Sequence, residues 1–214
     1  MMILIDFVFR WLHVLFGITW IGLLYYFNFV QTEYFKEAEA DAKADAVKKL
    51  APRALWWFRW GAMATFITGL YLYGSLGNSV NAYIATGALA GTLMFLNVWL
   101  VIWPKQKIVC GIVEGDAAAA APKAALASRT NTLLSAPMLM GMLGSKHGYL
   151  PGSDSINALG NAGLGIGLLA SLVIILLIEA NGLFGKPGPI ASVKGVIHMS
   201  ILLAVVLFLL LNYL

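Results

Sequence analysis

Six long apolar runs recur along the chain, separated by short polar or Gly/Pro-containing stretches. A helix needs about 20 mainly apolar residues to cross the hydrocarbon of a bilayer, and only helices or closed barrels satisfy their backbone there. The runs fall at about residues 7–30, 55–76, 82–103, 124–146, 159–180 and 193–214. They predict an all-α fold, a polytopic membrane bundle of about six helices forming a single integral membrane domain over residues 1–214. Charge is scarce, 11% of residues against the roughly 25% usual in soluble domains. The first apolar run has no basic segment before it and is long enough to span, so a cleavable leader is not expected.

The stretch Gln31 to Pro52 is rich in Glu, Asp, Lys and Ala and predicts an amphipathic helix stopped near Pro52. Pro104 is expected to end the third span, and Lys105 to Pro122, with Ala117 to Ala121, to form a longer connection. Tyr149 to Asp154, with Pro151 and Gly152, reads as a turn, as does Gly185 to Pro189. Lys36, Lys43, Lys48, Lys49 and Arg53 lie in the first connection, Lys105, Lys107 and Lys123 in the third, and Lys186 in the fifth with Lys194 nearby. The second has no basic residue and the fourth only Lys146. The positive-inside rule then puts both termini outside, in the periplasm if the membrane is a bacterial inner membrane. The net charge of +4 is explained by these loops. No basic stripe interleaved with aromatics lies outside the apolar runs, so nucleic acid is not an expected partner. The single cysteine, Cys110, excludes an intrachain disulfide, and no C-x-x-C-H motif is present for covalent haem.

Ionisable residues inside the spans are functional candidates by default, because burying them in lipid is costly. His13 lies in the first span with Arg10, Gly17 and Trp20 at helical spacing on its face. A histidine beside a glycine suits a flat ring approaching the helix, and neutral imidazole is a common axial ligand of haem iron. Arg10 would pair with a propionate. The alternative is a histidine bonded to a neighbouring helix, with Arg10 paired to Asp6 or reaching the interface. His147, at the end of the fourth span with Gly141 and Gly144 near its face, is on the same expected side as His13. The two could ligate one b-type haem; otherwise His147 is an interfacial histidine. His198, near the opposite side, is a weaker candidate for a second haem, a proton relay or packing. Arg59, within Trp56-Trp57-Phe58-Arg59-Trp60, reads as an interfacial anchor or as an anion site shared with Arg129. Asn97 and the run Ser128 to Thr132 read as hydrogen-bonded helix packing or a cavity lining. Met138, Met140 and Met142 read as packing rather than a copper site. Glu179 is the one acidic residue expected within a span.

Four stretches carry a family resemblance: Arg10-Trp11-Leu12-His13 on through Gly17 to Gln31, Ala51 to Gly61, Asn97-Val98-Trp99 with Trp103-Pro104, and Ser128 to Thr132 leading to His147. Together they resemble the membrane domain of bacterial membrane-bound urate oxidase along essentially the whole chain. In that family the domain is typically fused to a C-terminal cytochrome c domain outside the membrane. This sequence stops at Leu214, so the resemblance implies a separate electron outlet, such as an external cytochrome c or a quinone. His13 followed by Trp20 and Gly22-Leu23-Leu24-Tyr25 is also similar to the first helix of the haem-containing protoporphyrinogen oxidases, where the corresponding histidine is associated with haem. Three functions remain open at this point: a b-haem electron-transfer protein, an oxidase of urate or a similar small anion, and a cofactor-free subunit of a larger membrane complex. For the last, Gly160, Gly163, Gly165, Gly167 and Ala170 offer a close-packing face.

Overall fold

The computed structural model describes residues 2–150 and 165–214. Helices dominate, and no β-strand occurs among the described residues. They are α1 (Met2–Tyr25), α2 (Thr32–Glu37), α3 (Ala40–Asp45), α4 (Ala51–Leu76), α5 (Ala82–Leu96), α6 (Trp103–Val109), α7 (Ala117–His147), α8 (Ile166–Phe184) and α9 (Val193–Tyr213). Three π-helical turns interrupt the longer rods, at Tyr26–Gln31, Ala46–Leu50 and Asn97–Ile102. Such wide turns concentrate at functional sites.

Among the described residues, four helical rods are long and apolar enough to cross a bilayer: Ile3–Glu37, Ala82–Val109, Ile166–Phe184 and Val193–Tyr213. With the apolar composition, they identify an integral membrane protein in a lipid bilayer. The other two expected spans are helices of 26 and 31 residues, about 39 and 46 Å at ~1.5 Å per residue. They have length enough but carry more polar side chains. In α7 the reason is position. Residues Arg129 to Ser135 are all buried, because α5, α6, α8 and α9 pack around this helix. A helix enclosed by protein need not present an apolar face to lipid.

Several boundaries differ from the sequence expectation, each for a local reason. Pro52 does not stop a loop helix but sits in the first turn of α4, where its missing N–H is unneeded. The expected single amphipathic helix is instead α2 and α3, broken where Ala38 adopts an extended backbone. Pro104 does not end the third span. It follows the π-helical turn and opens α6, so the rod continues to Val109. Ala117 to Ala121 are helical, since alanine is the best helix former and Asp116 caps the start by accepting from the Ala119 amide. Pro151 to Asp154 of the expected turn that begins at Tyr149, and the start of the fifth span, with Leu159, Gly160 and Gly163, lie outside the described residues.

Side-chain contacts align the helix ends. Ser75 donates to Asp6 at 3.4 Å, which puts the end of α4 beside the start of α1. Asn81 donates to the Ser145 carbonyl at 3.0 Å, joining the start of α5 to the end of α7. Asn212 of α9 donates to the Gly148 carbonyl at 3.2 Å and accepts from the Leu150 amide at 3.0 Å. Both chain termini therefore lie at one end of the bundle. The lysine-rich connections lie at the other.

Packing between α5 and α7 is close. A Cβ on Gly141 would stand 2.6 Å from the Gly87 nitrogen, so only two glycines permit the approach. Gly167 makes the same allowance for α9, where an added Cβ would meet the Leu210 carbonyl. That part of the small-residue face is thus consumed within the chain. Met138 and Met140 pack against the core, as expected of flexible gap-fillers.

Candidate functional site

The sequence candidates separate into two groups. The first lies between α1 and α4. His13 Nδ1 is 2.9 Å from the Thr65 carbonyl and 3.1 Å from Thr68 Oγ1. A carbonyl only accepts, so Nδ1 carries the proton and Nε2 keeps the lone pair. Nε2 has no hydrogen-bond partner among the described residues. This is the arrangement by which histidines are oriented for metal ligation, and equally one by which a histidine pins two helices. The glycine that makes room for the ring is Gly69, where a Cβ would stand 3.0 Å from His13 Cε1. Gly17, one turn after His13, has its open side toward Thr65 Cγ2 at 4.0 Å. Arg10 donates to Asp6 at 2.7 Å, one helical turn back, and is about half exposed.

His147 is the last residue of α7 and is exposed. The residues beside it face α5 and α9: Gly144 and Gly148 pack on Tyr83, whose hydroxyl donates to the Gly148 carbonyl at 2.8 Å and also meets Asn212. His13 and His147 are in the same half of the bundle, but His13 is held against α4 while His147 ends α7, and no hydrogen bond connects them. His198 is exposed on α9, in the half nearer the lysine-rich end. No group of three or more metal-binding side chains occurs among the described residues. Cys110, ending α6, is half-buried, and burial pushes its thiol up.

The second group is buried around the polar run of α7. Asn28, in the π-helical turn after α1, donates to Ser128 at 2.8 Å and to the Leu24 carbonyl at 2.9 Å. The Tyr25 hydroxyl lies 2.8 Å from Ser135. Ser200 of α9 donates to the Leu133 carbonyl at 2.8 Å. Asn97, opening the second wide turn of the membrane rods, donates to Asn131 at 2.9 Å and to Glu179 at 3.0 Å. Asn131 donates to the Met94 carbonyl at 2.9 Å. These bonds tie α1, α5, α8 and α9 to α7, so the polar run does bond helices together. Asn28, Tyr25 and Ser135 were not picked out from the sequence. The only signal for them is that each is a hydrogen-bonding residue in a membrane span.

Arg129 stands apart within this group. It is 8% exposed, and its Nη1 is buried with no hydrogen-bond partner. Glu33 on α2 acts on it electrostatically, but that carboxylate already holds Lys36 at 2.8 Å. Gln31, three residues beyond Asn28, also buries a side-chain oxygen without a partner. Arg59 does not join Arg129: its guanidinium stacks on the Trp103 ring at 3.8 Å. Among the described residues Arg129 is thus a buried guanidinium with a free Nη1, a group that suits planar anions.

Residues 71–159 match the family model described as urate oxidase N-terminal. This stretch of the chain resembles that membrane domain. It contains Asn97, Arg129, Asn131 and His147, and it excludes His13, Arg10, Gly17, Arg59 and His198. No curated protein and no solved structure matches the chain.

Proposed function

We propose that this chain is the membrane-embedded part of an oxidoreductase acting on urate or a similar small planar anion, with Arg129 as the anion anchor. The observation that carries the reading is a nearly fully buried arginine whose Nη1 has no partner, inside the stretch that resembles the urate oxidase domain. An unpaired guanidinium in a low-dielectric interior is costly, and an anion bound there offsets that cost while exchanging water for fixed donors. Oxidation of such an anion needs an electron acceptor, for which an external cytochrome c or a quinone has the right chemistry.

The test is urate binding to purified protein in lipid nanodiscs by calorimetry, with turnover followed on addition of ferricytochrome c or a soluble quinone. Wild type is expected to bind and oxidise urate. Arg129→Gln is expected to lose binding at least tenfold while remaining folded. A wild-type protein that neither binds urate nor oxidises it with either acceptor refutes the reading.

A second reading concerns the electron route and rests on a different observation, the fixed Nδ1–H of His13. His13 would hold a b-type haem through Nε2, with Gly69 leaving room for its imidazole. A haem bound there would supply one-electron transfer. The side chains would only orient and hold it, with Thr65 and Thr68 fixing the ring plane. A reduced-minus-oxidised spectrum that lacks an α-band in wild type, or keeps it in His13→Ala, rules out this assignment.

A further inference from the structure

We propose that the Glu179 carboxyl, bracketed by Asn97 and Asn131, is a proton-exchange site inside the bundle. It is a separate site from Arg129 and stands whether or not an anion binds there. Glu179 is 7% exposed on α8, and Asn97 and Asn131 are 2% and 0% exposed. Both amide hydrogens of Asn97 are committed, one to Glu179 Oε2 at 3.0 Å and one to Asn131 Oδ1 at 2.9 Å. Asn131 is in turn tied to the Met94 carbonyl. The three side chains come from three helical rods and are locked in a chain that ends on the carboxyl.

An ionised carboxylate accepts about four hydrogen bonds and needs a countercharge when removed from water. Glu179 receives one amide N–H, and it forms no ion pair among the described residues. A neutral carboxylic acid needs far less, and the surroundings fit that form.

Among the described residues, no charged side chain on α5, α7 or α9, the helices packed against α8, forms an ion pair with Glu179. α5 carries no charged side chain, nor does the rest of α8. On α7, Arg129 is two residues from Asn131, about 200° round the helix, while Lys123, Lys146 and His147 are exposed near its ends. On α9, Lys194 and His198 are both exposed. Glu179 lies five residues before the end of α8 at Phe184, so ~8 Å of helix separates it from the lysine-rich end. That end is the side with which it exchanges. Asn97 opens a π-helical turn, which gives its rod a place to yield as the carboxyl gains or loses its proton.

Infrared difference spectroscopy of the full chain in lipid vesicles tests this. Wild type should show the C=O stretch of a protonated carboxyl that downshifts in heavy water and fades as pH is raised. The band should vanish in Glu179→Gln, persist in Glu179→Asp, and move in frequency in Asn97→Leu once its donor is gone. Dicyclohexylcarbodiimide, which attacks protonated carboxyls in apolar surroundings, should label Glu179 as mapped by peptide mass spectrometry, regardless of sodium. No band removed by Glu179→Gln, or a band that neither titrates nor exchanges with deuterium, overturns the proposal. Protection of Glu179 from the carbodiimide by sodium also overturns it, in favour of a cation site.

Discussion

The α1–α4 pair and the assembly around α7 both place ionisable or strongly polar residues inside membrane helices, yet they satisfy them in opposite ways. Between α1 and α4 the solutions are local or single. Arg10 reaches Asp6 one turn away on its own helix, and His13 touches one neighbour. Both remain partly or largely exposed. Around α7 the solutions cross the bundle: Asn97 finds Asn131 and Glu179, Asn28 finds Ser128, and all five are buried or half-buried. The difference follows from how each helix is surrounded. α1 shows much of its surface to lipid, so it tolerates few polar groups away from its ends. α7 is enclosed, so its polar run can be spent on partners.

The largest expected effect breaks the packing half of this comparison. Gly141→Ala forces a Cβ onto the backbone of Gly87, where neither side can move aside. It should destabilise the bundle by about 3 kcal/mol or more, measured by steric trapping or by unfolding in mixed micelles. Gly17→Ala meets only Thr65 Cγ2 at ordinary contact distance and should be neutral or stabilising by up to ~1 kcal/mol. Equal effects at the two glycines would remove the distinction.

Next in size is the polar half. Asn97→Leu strands both the Glu179 carboxyl and the Asn131 carbonyl oxygen in the interior, an expected cost of ~1–3 kcal/mol. His13→Ala gives up the part-buried Nδ1–H shared between Thr65 and Thr68, about 0.5–1.5 kcal/mol. The same unfolding measurement ranks the two, and a larger loss at His13 would reverse the picture. The smallest effect belongs to Arg10→Ala. It breaks an exposed pair whose side chains are 51% and 35% accessible and should change stability by ~0–1 kcal/mol.

Much of the fold was legible beforehand. The apolar runs, the turn at Gly185 to Pro189, and the scarcity of charge require a helical membrane protein whatever the details. Prolines misled where a π-helical turn or a helix start accommodates them, because proline is disfavoured only where its N–H and ring space are needed. Of the candidates, Arg10 meets Asp6, an alternative already readable because an i to i+4 partner is written in the sequence, whereas the partners of His13, Thr65 and Thr68, are 52 and 55 residues away and were not. Arg129, Asn97 and Glu179 were visible as unusual residues but not as parts of two different sites.

What the sequence determined alone is therefore the class of protein: periodicity and hydropathy are local properties, and a bilayer leaves a chain of this composition almost no other fold. What only the tertiary structure decided is which polar residue meets which. Asn97 and Glu179 are 82 residues apart in the chain, and no local pattern encodes their contact. It arises from the close approach of α5 and α7 that Gly87 and Gly141 allow, and from the enclosure of α7. Those same two facts leave Arg129 buried with a donor to offer.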